Sequence, residues 1–216
     1  MNGDNMLRED ILEFISEIPN NVEIVAATKY VDVEQMRKLY DSGIHSFGEN
    51  RVEAFLDKYD VLSDLDIKWN FIGHLQKNKA KKVINKIDVL HSLDSLELAN
   101  IIDKTRTNPL DCFIEVSINL EENKNGVNFK ELNQFVSEAL KFKNINLVGL
   151  MMMSKKNSTH DDLMKQFKAL AYLKDRVSKD FNIALPYLSM GMSDDYKEAI
   201  ACGATHIRLG RILWKN

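Results

Sequence analysis

Short apolar runs alternate with stretches of helical period along the whole chain. The runs at 23–29, 45–49, 68–73, 88–93, 111–118, 146–152, 184–190 and 205–210 read as strands. Amphipathic stretches near 33–42, 51–60, 77–86, 95–105, 129–142, 161–180 and 194–202 read as the helices between them. One more helix is expected near 5–17, where Leu7, Ile11, Phe14 and Ile15 share a face. Local punctuation agrees. Asp32 with Gln35, and Asp94 with Glu97, have capping-box spacing. Gly43 and Gly203 stand where helices end in a left-handed residue.

Strands that alternate with helices build a parallel sheet. Eight such units within 216 residues imply a closed (β/α)8 TIM barrel of α/β class. We expect one domain over 1–216, with residues 1–20 forming an extra N-terminal helix that packs on the barrel. An open doubly wound sheet is the competing architecture. It would announce itself by a glycine-rich first turn, and the turn here is Thr28-Lys29-Tyr30-Val31-Asp32.

Composition narrows the function classes. The net charge is −3 and charged residues make up 28%, so no basic footprint for nucleic acid is present. The lysines at 77, 79, 81, 82 and 86 read as the solvated face of one helix. No apolar run approaches the roughly 20 residues that span a bilayer, and the first residues lack the form of a signal peptide. A cytoplasmic protein is expected. Cys112 and Cys202 fit neither a metal nor a redox spacing and read as reduced thiols, and no metal site is expected.

In a barrel, chemistry sits at the C-terminal ends of the strands. Lys29 ends the first run. It either marks where that strand reaches water or presents an amine at the rim of an apolar core. Desolvation there favours a neutral amine, which can attack an aldehyde. The seventh run ends in Ser189-Met190-Gly191-Met192-Ser193 and the eighth in Arg208-Leu209-Gly210. Barrels often hold phosphate at these two ends, although both glycines are also ordinary turn residues. An amine and a phosphate cradle in one barrel mouth suit a phosphorylated aldehyde, and pyridoxal 5′-phosphate (PLP) satisfies both. Arg208 is then the group to face the pyridine nitrogen. An arginine there disfavours ring protonation and weakens the electron sink.

These residues resemble a known family, the YggS/PROSC group of pyridoxal phosphate homeostasis proteins, related to the barrel of alanine racemase. The matching segments run in order: Val25-Ala26-Ala27-Thr28-Lys29, Phe47-Gly48-Glu49-Asn50-Arg51-Val52, Trp69 through Lys79, His91-Ser92-Leu93-Asp94-Ser95, Glu121-x-x-Lys124-x-Gly126, Gly149-Leu150-Met151, Leu188 through Asp195, and Arg208-Leu209-Gly210. The resemblance implies that Lys29 carries PLP covalently as an internal aldimine. It places Asn50 beside the cofactor and Arg208 against the ring nitrogen, with Ser189, the backbone at Met190 and Gly210 on the phosphate. Lys124 matches a lysine linked to cofactor exchange, and His74 is expected in the same mouth or as a packed strand-end histidine. The chain departs from the family at Tyr30-Val31-Asp32, Asn70, Ser117, its last five residues, and Arg211, where a small residue is usual beside the phosphate.

The implied function is PLP homeostasis as a carrier or buffer without strong catalysis. The expected partners are PLP and apo PLP-dependent enzymes, and the expected state is a monomer or weak dimer. The alternative is an amino-acid racemase of low activity. Racemisation needs an acid/base on each face of the substrate carbon. The relative's second base comes from another domain, which is not expected in a sequence that runs six residues past Gly210. A cofactor-free Schiff-base aldolase using Lys29 is a further enzyme reading.

Overall fold

The computed structural model describes residues 6–118 and 125–215. Nine strands appear in chain order: β1 (Glu23–Ala27), β2 (Ser46–Glu49), β3 (Lys68–Phe71), β4 (Val89–Leu93), β5 (Leu110–Ser117), β6 (Val127–Asn128), β7 (Ile145–Met151), β8 (Tyr187–Met192) and β9 (His206–Leu209). They pair in the order β4-β3-β2-β1-β9-β8-β7-β5-β6, and β4 also pairs with β5. That last pairing closes eight parallel strands into a (β/α)8 barrel, as the alternating pattern requires. The two-residue β6 is additional. It pairs in parallel with the end of β5, Val116 opposite Val127, and is too short to register as a periodic run.

The helices are α1 (Ile11–Glu17), α2 (Val33–Asp41), α3 (Val52–Tyr59), α4 (Lys77–Ala80), α5 (Leu96–Thr105), α6 (Leu132–Ala139), α7 (His160–Phe181) and α8 (Tyr196–Ala201). The expected capping box at α2 forms, with Gln35 N–H donating to Asp32 Oδ1 at 2.8 Å and Asp32 N–H to Gln35 Oε1 at 3.0 Å. At α5 the cap is Ser95 rather than Asp94: Leu98 N–H donates to Ser95 Oγ at 3.3 Å, while Asp94 pairs with His74. The expected helix over 77–86 is regular only to Ala80. Beyond it Val83 and Lys86 donate three residues back, to Ala80 and Val83, so the backbone tightens while Ala80, Val83 and Ile84 stay buried.

After β9 the chain forms only a 3-10 turn at Arg211–Leu213. The N-terminal segment covers this flank. Phe14 of α1 meets Tyr196 of α8 edge-on at 5.9 Å. Leu7 bridges Trp214, and Lys215 N–H donates to Met6 O at 2.8 Å. The helix expected as an appendage therefore stands where an eighth outer helix belongs.

Successive strand residues face opposite sides. The outward set, including Phe47, Leu90, Ile114, Leu150, Leu188 and Ile207, joins the helices in one large apolar layer. The inward set is mixed. Val89, Phe113, Val148 and Met151 form a small apolar cluster on their own. Beside it Asn70, His91, Ser189 and Arg208 are all buried. His91 on β4 bonds Ser189 on β8, strands that are not neighbours, so this contact crosses the barrel.

Gly149 marks where the β7–β8 pair is tightest: a Cβ there would lie 2.0 Å from the Tyr187 carbonyl oxygen. Gly149→Ala is expected to cost about 1–3 kcal/mol by overpacking, read from urea unfolding. An unchanged midpoint would contradict this packing.

Candidate functional site

Lys29 lies two residues past the end of β1, and the residues behind it hold its place. Thr28 is fully buried, and its hydroxyl donates to Glu49 Oε1 at 2.5 Å. Lys58, from α3, donates to the same oxygen and to the Thr28 carbonyl, both at 2.6 Å. Glu49 is fully buried and the Lys58 side chain is only 11% exposed. The last residue before Lys29 is thus clamped by a buried ion pair on the outer side of the sheet. Lys29 itself is half-buried, with Nζ 4.6 Å from the centre of the Tyr30 ring. A hydrogen bond with Lys29 holds the exposed Tyr30 hydroxyl below the usual tyrosine range.

A cavity of about 620 Å³ opens at this strand end. Its walls bring together Lys29, Arg208 and Gly210 from the expected set, with Tyr30, Ser193 and Arg211. Ser193 Oγ accepts from the Gly210 and Ile212 backbone N–H groups at 3.2 and 3.4 Å. A hydroxyl and two backbone donors therefore converge at one edge. A Cβ on Gly210 would meet nothing closer than 3.7 Å, so the glycine leaves that edge open instead of packing it. Arg211 borders the same edge and is held by Asp194 at 2.5 Å, both side chains being exposed.

Ser189 and Met190, expected on the phosphate, do not line this cavity. Both are fully buried within β8. Ser189 Oγ accepts from Arg208 Nη1 at 2.7 Å and contacts His91 Nδ1 at 2.8 Å, so its hydrogen bonds are made inside the barrel. The reason is a bulge. Ser189 pairs with His206 but Met192 with Arg208, three residues against two, and Gly191 between them has φ +93°. The extra residue brings Ser193 to the mouth.

Asn50 directly follows β2 and does not line the cavity. Gly73 allows its close approach, since a Cβ at 73 would fall 2.5 Å from the Asn50 carbonyl oxygen. Among the described residues its buried Oδ1 has no hydrogen-bond partner. His74 also stands off the cavity, with Nδ1 2.8 Å from Asp94 Oδ2. Lys124 and Glu121 lie outside the described residues.

Arg208 is the charged centre. Besides Ser189 it donates to the Met152 carbonyl at 2.9 Å. Burial pushes its guanidinium down to about 10, with Glu115 and Asp195 opposing, so it stays protonated at neutral pH. Glu115, buried on β5, escaped sequence reasoning. A carboxylate between Ile114 and Val116, within the apolar centre of the strand, was its only signal. Burial raises it to about 7; Asp94 adds to the rise, while Arg208 and His74 oppose it.

Residues 6–216 match the family model described as alanine racemase, N-terminal domain. A pyridoxal phosphate homeostasis protein of Aquifex aeolicus is 40% identical over 198 residues, covering 90% of this chain and 87% of its own. The chain belongs to the pyridoxal phosphate homeostasis protein family. Among solved structures, PipY of Synechococcus elongatus without PLP superposes with a TM-score of 0.91 at 30% identity, covering 96% of this chain and 99% of its own. PipY with PLP bound gives 0.88 at 29%, covering 95% and 100%. An alanine racemase of Clostridium difficile, 16% identical, shares the fold with a TM-score of 0.78; the match covers 96% of this chain and 57% of the racemase.

Two outcomes follow. Lys58→Met strands a buried carboxylate beside Thr28 and is expected to cost about 3–5 kcal/mol in chemical denaturation; a loss under 1 kcal/mol would show that the clamp is unimportant. For Glu115, whose carboxyl moves from 4.5 to about 7, the native protein holds a proton that the unfolded chain releases in that window. Stability from this group is therefore present at low pH and falls as pH rises from 4.5 through 7. Glu115→Gln is expected to flatten that part of the Tm-against-pH curve; an unaltered slope would contradict it.

Proposed function

We propose that this protein binds PLP covalently through Lys29 and serves PLP homeostasis as a carrier or buffer, without strong catalysis of its own. The observation that carries the reading is one cavity with Lys29 just beyond β1 and the Ser193–Gly210 edge beyond β8 and β9, with Arg208 on its wall. PLP would bring an aldehyde for the lysine amine, a phosphate for the Ser193 hydroxyl and an electron-withdrawing ring.

The residues present fit that group. The Ser193 hydroxyl accepts from Gly210 N–H and keeps its own proton to donate to a phosphate at the open edge beside Gly210, and Arg211 stands next to it with a charge-assisted donor. The unpartnered Asn50 Oδ1 leaves a polar group on the neighbouring strand end to answer a donor. The Thr28 clamp fixes the direction from which Lys29 reaches inward. Arg208, protonated and held on two sides, opposes a proton on a ring nitrogen that faces it. A ring kept neutral withdraws electrons weakly, which suits storage better than turnover. PLP and the apo forms of PLP-dependent enzymes are then the partners, the monomer or a weak dimer the working state, and the cytoplasm the place. Among the described residues no helix is long and apolar enough to cross a membrane.

Titration with PLP, followed by absorbance, tests the site. Ser193→Ala is expected to weaken PLP about tenfold, the worth of a charge-assisted hydrogen bond, and to leave phosphate-free pyridoxal unchanged. Equal loss for both ligands, or none, would remove Ser193 from the phosphate. Alanine racemisation by the loaded protein is expected below about 1 per second; ordinary enzyme turnover would overturn the carrier reading.

A further inference from the structure

A single line of hydrogen bonds runs through the barrel interior, from Arg208 at the cavity to Glu23 at the N-terminal end of β1. Arg208 Nη1 donates to Ser189 Oγ at 2.7 Å. Ser189 Oγ meets His91 Nδ1 at 2.8 Å, and His91 Nε2 meets Asn70 Oδ1 at 2.9 Å. Asn70 Nδ2 donates to Ser46 Oγ at 2.8 Å, and Ser46 donates to Glu23 Oε1 at 2.6 Å. Lys68 Nζ holds the other oxygen of Glu23 at 2.8 Å.

The chemistry of the two ends fixes the direction of every link. A guanidinium only donates, and a carboxylate only accepts. Glu23 is a carboxylate: burial opposes ionisation, but hydrogen bonds from His206, Lys68 and Ser46 hold its pKa well below the usual range. The Asn70 amide cannot be flipped, because Nδ2 also faces the carbonyls of Phe47 and Lys68 at 3.2 and 3.1 Å. Its Oδ1 must then accept, so His91 carries its proton on Nε2. Burial, reinforced by His206 and Arg208, holds His91 neutral. Its Nδ1 is therefore bare and takes the Ser189 proton, which frees a Ser189 lone pair for Arg208.

We propose that His91 is a positioning residue for Arg208: its bare Nδ1 turns Ser189 into the acceptor that fixes the guanidinium at the cavity wall. This rests on the reading that the cavity holds PLP with Arg208 toward the ring. Among the described residues Arg208 makes no ion pair, and Glu115 on β5 and Asp195 before α8 are the carboxylates that act on it through space. Direct anchoring falls to Ser189 and the Met152 carbonyl. Around His91 the titratable and charged groups are His206, Arg208, Glu23 and Lys68, and Phe113 stacks on the ring at 4.5 Å. No second donor stands ready to replace Ser189 at Nδ1 among the hydrogen bonds of the described residues.

Two measurements test it, one needing no cofactor. Nitrogen NMR of histidine-labelled apoprotein reads the tautomer directly, and the expected signature for His91 is Nε2–H with bare Nδ1 from pH 6 to 8. An Nδ1–H tautomer or an imidazolium overturns the proposal whether or not PLP binds. In the loaded protein, the pH midpoint of the cofactor absorption band is compared between wild type and Ser189→Ala. The substitution removes only a hydroxyl and frees the guanidinium to move, and the midpoint is expected to shift upward by about one pH unit, the scale set by one charge-assisted hydrogen bond. A Ser189→Ala protein that loads with PLP and keeps the wild-type midpoint, even with a lowered Tm, makes the line merely structural and overturns the positioning role. A wild type that takes up no PLP sinks the cofactor reading instead, and the tautomer alone then decides whether the line exists as drawn.

Discussion

A guanidinium buried inside a β-barrel must be answered by hydrogen bonds, because its hydration is gone and an unanswered charge is costly. Arg208 imposes that constraint here. TIM barrels ordinarily fill their axis with layers of branched apolar side chains. Here, among the described residues, an apolar cluster of Val89, Phe113, Val148 and Met151 stands beside buried Asn70, His91, Ser189 and Glu115. The polar interior follows from holding a cation at the floor of the mouth. It also places a carboxyl poised near neutrality beside that cation, which an apolar axis would not tolerate.

The two faces of the sheet divide the work at Lys29. From the outer side, Glu49 and Lys58 grip Thr28 and set where the chain leaves β1. From the inner side, Arg208 is set by Ser189 and the Met152 carbonyl. The lysine thus emerges between a fixed backbone and a fixed charge. Neither Lys58 nor His91 lines the cavity itself. Both act by removing freedom from a neighbour, so the mouth is organised before anything enters it.

Much of this was legible in the sequence, for physical reasons that also explain the failures. The eight barrel strands showed because each is a short apolar run cut by turn residues, and the helices because their buried faces recur at 3.6 residues. The Asp32 box showed because both partners are local. At Asp94 and Ser95 two good caps are adjacent, and only the tertiary pairing of Asp94 with His74 decides between them. The placing of Ser193 rather than Ser189 at the cavity was hidden for a different reason. Ser189 and Ser193 sit in one motif, and simple alternation puts both on one face. The bulge at Gly191 breaks that alternation, and no pattern of polar and apolar residues reveals it. His91 was visible as part of a motif, yet its partners are on β3 and β8, about 20 and 100 residues away in sequence.

The central claim is that Lys29, and no other amine, anchors the cofactor. Lys156 lines the same cavity and is the natural rival. Borohydride reduction of the PLP-loaded protein, followed by peptide mass spectrometry, decides between them. The account predicts a pyridoxyl mass on the peptide containing Lys29, lost in Lys29→Ala. A label on Lys156 or any other lysine in the wild-type protein would contradict it.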